Sequence, residues 1–185
     1  MNEKELIEKR LSGEDVFCGK IIKVQLDTVE LPNKRTATRE VVRHNGAVCI
    51  IPLTDENEVI LERQYRYAQG KVILEIPAGK LDGDEDPLHA AERELREETG
   101  AVAGKMTYLG LYMGSPALLD EKIYMYLAEE LSFGERQLDD DEFLTLERMP
   151  IEEAVEKILA GEVPDGKTQA AVLRAYLMKK KRTEK

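Results

Sequence analysis

The chain has 185 residues with 37 acidic against 27 basic side chains, a formal net charge of −10. That length suits one domain, or a domain with a small extension, and the 42% hydrophobic content is enough for a buried core. The negative balance argues against a broad nucleic-acid surface, no apolar run reaches membrane-spanning length, and the charged start from Met1 to Arg10 lacks the apolar stretch of a signal peptide, so a cytoplasmic protein with neither nucleic-acid nor membrane partners is expected.

Taken in chain order, residues 2–12 read as a short charged helix. Residues 20–31 alternate in the manner of a half-buried strand, through Ile22, Val24, Leu26 and Val29, and Pro32-Asn33-Lys34 then turns the chain. Further strands are expected over 36–43, 46–52, 58–65 and 72–76, with Asp55-Glu56-Asn57 as an intervening turn. Cys18 and Cys49, the only cysteines, both lie in apolar, strand-like contexts and are expected to be reduced, inert core thiols.

Asp86-Pro87 is a helix start, an oxygen acceptor at the N-cap followed by a residue whose missing N–H costs nothing there, and Gly100 is the matching stop. Leu88, Ala91 and Leu95 form a narrow apolar stripe, with Glu94 and Glu98 side by side at its edge. Like charges four apart destabilise a bare helix by roughly 0.2–0.5 kcal/mol, and partial burial worsens this, so a cation is the natural compensation. Hard oxygen donors favour Mg²⁺ or Mn²⁺. Arg93 can pair with Glu97 and orient it. The run from Glu92 to Glu98 alone would read as a solvated face. Beyond it, strands are expected over 106–112, 122–131 and 143–147 and helices over 151–160 and about 167–181, the last ending in Lys179, Lys180, Lys181 and Arg182 against its negative pole. Strands and helices without regular alternation point to an α+β sandwich.

Gly79, Glu85, Arg93, Glu94, Leu95, Glu97, Glu98 and Gly100 together match G-x5-E-x7-R-E-U-x-E-E-x-G-U, with U a bulky aliphatic, and on that basis the chain resembles a Nudix hydrolase. Ala101, smaller than the usual closing aliphatic, is the one departure. The resemblance implies a Nudix fold, α+β with a mixed β-sheet sandwiched between helices. Pro116, sixteen residues after Gly100, resembles the ADP-ribose pyrophosphatase subfamily, as do 74–79 (Leu-Glu-Ile-Pro-Ala-Gly), Arg39-Glu40, Gln64-Tyr65-Arg66 and Asp120-Glu121. That subfamily implies a small N-terminal β extension over 1–40 that helps form a homodimer, and a Nudix domain over 41–185.

The resemblance further implies hydrolysis of ADP-ribose to AMP and ribose 5-phosphate, with more than one Mg²⁺ (or Mn²⁺) bound by Glu94, Glu98 and the carbonyl of Ala78, and with Glu97 contributing directly or through water. Glu85 supports the loop or the outer shell. The general base comes from the acidic loop before 143–147, where Asp140 and Glu142 are the candidates because alternation would direct them to one side; Asp141 stays open and Asp139 reads as solvated. Arg66 is the expected phosphate contact, and Arg39 lies against adenine, reaches across a dimer, or is simply an exposed strand charge. Glu40, Lys80, Ser115, Pro116, Ala117 and Glu121 complete the substrate-binding set, with Glu121 accepting from ribose hydroxyls or pairing with Lys122. His44 could edge the pocket, and His89 faces solvent. Ala117, where many relatives carry glycine, leaves open another nucleoside diphosphate sugar as substrate. A non-catalytic ADP-ribose sensor is the reading from a different class, against which all box carboxylates are present.

Overall fold

A computed structural model of the chain describes residues 2–140 and 142–183. The helix expected over 2–12 is not formed: Glu3–Glu5 make one short 3-10 turn capped by Asn2, and strand β1 (Lys9–Cys18) follows. An isolated helix that short is marginal, and an antiparallel ladder to β2 (Lys23–Glu30) satisfies the same backbone groups. Gly13 sits opposite Asp27 in that ladder, and a Cβ there would stand 1.9 Å from Asp27 Oδ1, so only glycine lets the two strands approach. Asp27 is buried and paired with Arg10 at 2.9 Å. All of β1 is exposed, so Cys18 is not the core thiol expected of it. Cys49 is one, with burial pushing its thiol up to about 12.

Strand β3 (Thr36–Arg43) completes this three-stranded sheet in the order β1-β2-β3. The segment around Pro116 is fastened to its end: Val42 N–H donates to Leu118 O at 2.8 Å, Asp120 N–H donates to Val42 O at 3.1 Å, and Arg43 pairs with Asp120 at 3.1 Å. Met1–Gly46 and Met113–Glu121 thus form one compact unit, and Ala47–Tyr112 with Lys122–Lys185 form the other.

In the second unit, β4 (Ala47–Pro52) is apolar and buried at every position, which requires cover on both faces. Ala47, Cys49 and Ile51 point into one core, shared with Met125, Leu127 and Val172, while Val48 and Ile50 point into another with Leu81, Ala91 and Leu95. Each fully buried Ile or Leu contributes roughly 1.5–3 kcal/mol. Around β4 the order is β7-β4-β9-β8, with β7 (Ala78–Lys80), β8 (Ala101–Tyr112) and β9 (Ile123–Phe133), and with β4 and β9 parallel. A second sheet runs β10-β5-β6, from β5 (Glu58–Arg66), β6 (Lys71–Glu75) and β10 (Leu144–Pro150). Helix α1 (Pro87–Thr99) packs on one face of the four-stranded mixed sheet, and α2 (Ile151–Leu159) and α3 (Gly166–Thr183) enter the core on the other. This is the expected α+β sandwich. Ala101 is fully buried, a member of the α1-side core with Val48, Ile50 and Leu95.

Candidate active site

Helix α1 begins where expected. Asp86 Oδ1 accepts from the N–H groups of Leu88 (2.9 Å) and His89 (3.3 Å), Pro87 takes the first helical position, and the helix ends on Gly100 at φ 71°. Its buried face is Ala90, Ala91, Glu94, Leu95, Glu98 and Thr99; Leu88, assigned to the apolar stripe from spacing, is exposed in the first turn. Glu94 and Glu98 therefore go inward, retaining 8% and 2% exposure.

Strand β7 meets them there. Ala78 N–H donates to Glu98 Oε2 at 3.0 Å, and a Cβ on Gly79 would stand 1.9 Å from the Glu94 carboxyl carbon. The box glycine is thus the position where backbone must lie against a carboxylate. Arg93 binds Glu85 at 2.9 and 3.1 Å, Glu94 at 2.8 Å and Glu97 at 3.0 Å, leaving Glu98 outside its reach. The Glu85 hydrogen bond raises the Arg93 pKa, and Arg93 in turn holds Glu85 below the usual carboxylate range.

Opposite charge is scarcer deeper in. Glu62 and Glu75 are direct cross-strand partners on β5 and β6, both buried. Glu75 takes Arg66 at 2.6 Å and a contact from Lys167, which is also bound to Asp165 at 3.0 Å. Burial opposes the charge on Arg66 and on Lys167, yet their acidic partners outweigh it and both pKa values are raised. Glu62 retains no exposure, and neither of its carboxylate oxygens has a hydrogen-bond partner among the described residues. Burial, then the charge of Glu75, raises Glu62 to about 8; burial, then Glu62, Glu94 and Glu142, raises Glu98 to about 10. Glu94 is also raised, by burial first and against the pull of Arg93.

These shifts fix a pH dependence. A carboxyl whose folded pKa lies above its unfolded value of about 4.3 binds more protons when folded, so its stabilisation is complete below that value and is lost as pH rises through the folded pKa. For Glu62 and Glu98 the window extends upward to about 8 and about 10. The metal-free protein is expected to have a lower urea midpoint at pH 9 than at pH 6. A midpoint that rises over this interval would contradict the assignment of these two groups.

The acidic loop is tied to the end of α1. Gly134 N–H donates to Gly100 O at 2.7 Å, Gln137 N–H to Glu97 O at 3.0 Å, and Arg136 Nε to Glu98 O at 2.7 Å. Helix-end carbonyls that need partners thereby hold the loop in place. Alternation does not operate within it, because Glu142 N–H bonds back to Asp139 O at 3.0 Å in a turn and β10 starts only at Leu144. Asp140 is exposed, whereas Glu142 is half-buried and its charge acts on Glu62, Glu94 and Glu98. Asp141 lies outside the described residues.

The structure brings Ala78, Glu94, Glu97 and Glu98 together, with Glu142 in their field and Arg66 held by Glu75. Lys80 is exposed on β7, and His89 is exposed as expected. Arg39, Glu40, Ser115, Pro116, Ala117 and Glu121 belong to the other compact unit. There Arg39 forms a two-pronged pair with Glu8 at 2.5 and 3.0 Å, Glu40 and the segment 115–117 are exposed, and Ser115 O accepts from Leu118 and Leu119. His44 Nδ1 accepts from Gly46 N–H at 3.0 Å, so Glu121 Oε1, 3.4 Å from the same nitrogen, is not hydrogen-bonded to it. Sequence reasoning missed Glu62, Glu75, Arg136 and Lys167. A glutamate after Val59-Ile60-Leu61 and another after Val72-Ile73-Leu74 were the available signals for the first two.

A divalent cation suits this donor set, which is entirely oxygen and holds excess buried negative charge. Among the described residues no three acidic, histidine or cysteine side chains are already gathered at ligand spacing, and Arg93 engages Glu94 and Glu97. The fit lies in donor chemistry, in the crowding of Glu94 and Glu98 on the Ala78-Gly79 backbone, and in the orphaned oxygens of Glu62.

The loop and helix that carry these carboxylates are bounded by Gly79 and Gly100. The chain belongs to the Nudix family: the NUDIX domain profile matches residues 43–172, and the profile of the nucleoside diphosphate sugar hydrolase N-terminal domain matches 8–42. It is 43% identical to the ADP-ribose pyrophosphatase of Bacillus subtilis (strain 168), covering 91% of this chain and 92% of that protein. It is 45% identical to the methanol dehydrogenase activator of Bacillus methanolicus, covering 89% and 90%. A crystal structure described as an ADP compounds hydrolase superposes with a TM-score of 0.84 at 25% identity, covering 95% of each chain. Nudix hydrolases in general depend on a divalent metal and act on small nucleoside diphosphate substrates. Among the described residues no helix is long and apolar enough to cross a membrane.

Proposed function

We propose that this Nudix hydrolase cleaves the pyrophosphate bond of ADP-ribose with water, giving AMP and ribose 5-phosphate. The observation that carries the chemistry is the buried Glu94 and Glu98 pair set on the Ala78-Gly79 backbone. The substrate is supported by the full-length similarity to a relative named ADP-ribose pyrophosphatase.

In this reading Glu94, Glu98 and the carbonyl of Ala78 would hold Mg²⁺ or Mn²⁺, more than one ion per site, and Glu97 would contribute directly or through water. A metal held there would polarise phosphoryl oxygens and lower the pKa of a water. Glu142, with Asp140 as the alternative, removes that water's proton. Arg93 orients Glu94 and Glu97 and anchors the Glu85 loop. Arg66 and Lys80 contact the phosphates, Arg66 in an orientation fixed by Glu75. Arg39, Glu40, Ser115, Pro116, Ala117 and Glu121 bind the nucleoside and ribose ends. The segment 1–40 serves a homodimer, and the protein works in the cytoplasm.

The test is AMP release by purified protein with Mg²⁺ or Mn²⁺, comparing kcat/KM for ADP-ribose with nucleotide sugars, dinucleotides and triphosphates. ADP-ribose is expected to give the highest value, and EDTA to abolish turnover. Preference for another nucleotide sugar would overturn the Pro116 assignment while keeping the metal chemistry. Tight ADP-ribose binding without AMP release would make the protein a sensor.

A further inference from the structure

We propose that Glu62, outside the Nudix box, is an additional carboxylate ligand, direct or through a bound water, for a divalent cation held by Glu94 and Glu98. The inference rests on the reading above that those two glutamates bind metal.

Glu62 has no exposure, and both of its oxygens lack partners among the described residues. The bases nearby do not answer for it. Arg66 and Lys167 both bond to its cross-strand neighbour Glu75, and Lys167 is shared further with Asp165. Protonation does not resolve the problem, because a buried carboxylic acid still needs an acceptor for its O–H and a donor for its C=O. The following residues of β5 are partly exposed, but Glu62 closes the fully buried stretch begun by Val59, Ile60 and Leu61, where an apolar side chain would satisfy packing alone.

Its placement points to the metal-binding carboxylates. Glu62 stands opposite Glu75 in the β5–β6 ladder, and the segment that follows Glu75 reaches Ala78, whose N–H donates to Glu98 Oε2 at 3.0 Å. A buried carboxylate with no hydrogen-bond partner among the described residues thus lies across from the segment whose Ala78 holds Glu98, and a cation drawn between them would answer its orphaned oxygens. A hard divalent cation takes six or more oxygens, so a further carboxylate or its bound water is readily accommodated.

The test is a titration of substrate-free protein with Mn²⁺, following free Mn²⁺ by electron paramagnetic resonance, for wild type, Glu62→Gln, Glu62→Leu and Glu98→Gln. Both Glu62 variants are expected to bind Mn²⁺ about 10–100-fold more weakly, or to lose one equivalent. Without metal they should melt no lower than wild type, because an uncompensated buried carboxylate is gone, whereas the rise in Tm on adding Mn²⁺ should shrink. Wild-type affinity and stoichiometry in both Glu62 variants would overturn the inference. If Glu98→Gln alone weakens binding, only the role of Glu62 falls. If Glu98→Gln also binds normally, the metal reading of the site falls with it.

Discussion

Glu98→Gln is expected to lower kcat for ADP-ribose by about 10²–10³-fold, the loss typical when one group that stabilises transition-state charge is removed. The substitution preserves shape, and the amide keeps an oxygen that can accept from Ala78 N–H, now at 3.0 Å from Glu98 Oε2. What it removes is a carboxyl that must take up a proton on folding near pH 8, because burial and the neighbouring Glu62, Glu94 and Glu142 disfavour its charge. The metal-free variant should accordingly unfold at the same or a higher urea concentration than wild type near pH 8. Activity falls while stability does not, the pattern of a residue retained for chemistry at some cost in folding free energy. Steady-state AMP release and urea denaturation on the same preparation check the two halves together. Unchanged kcat at saturating Mg²⁺ would remove Glu98 from the metal site, and a large drop in the urea midpoint would recast it as a structural residue.

How much of this was legible in the sequence depended on how local the determinants are. Asp86, Pro87 and Gly100 act within one turn of the helix they bound, so α1 could be placed to within a residue. The apolar run that became β4 needed cover on both faces, and the structure supplies it through alternating side chains. Strand β1 was not legible. Its exposed residues, charged and apolar alike, carry no burial pattern, and the ladder to β2 decides its conformation. Leu88 was misplaced because spacing gives the direction of a side chain but not whether anything covers it there. Glu62 and Glu75 could be seen as charges inside apolar runs, yet only the register Glu62↔Glu75 shows that one takes both nearby bases and the other takes none. The loop's attachment was equally hidden, since Arg136 reaches a backbone carbonyl 38 positions away in sequence.

That attachment leads to the second large effect. Glu142→Gln is expected to reduce kcat by about 10²–10⁴-fold, the usual contribution of a general base, whereas Asp140→Asn should leave kcat within a few-fold of wild type. Asp140 is exposed, while Glu142 is half-buried and acts on the charges of Glu94 and Glu98. The bonds from Gly134, Arg136 and Gln137 to the last turn of α1 fasten the loop to the same helix that carries both glutamates. A base must lie within hydrogen-bond reach of the proton it takes, or one water away, and a loop fastened to that helix can hold such a position through turnover. If Glu142 is the base, its variant should keep wild-type Mn²⁺ affinity and lose the acidic limb of the pH profile of kcat, two changes that a loosened loop would not produce together. Replacing Arg136 by Ala tests the loop's attachment: releasing the staple should lower kcat while leaving Glu94 and Glu98 intact. A large kcat loss in Asp140→Asn with an active Glu142→Gln enzyme would reverse the assignment and place the base at the exposed end of the turn.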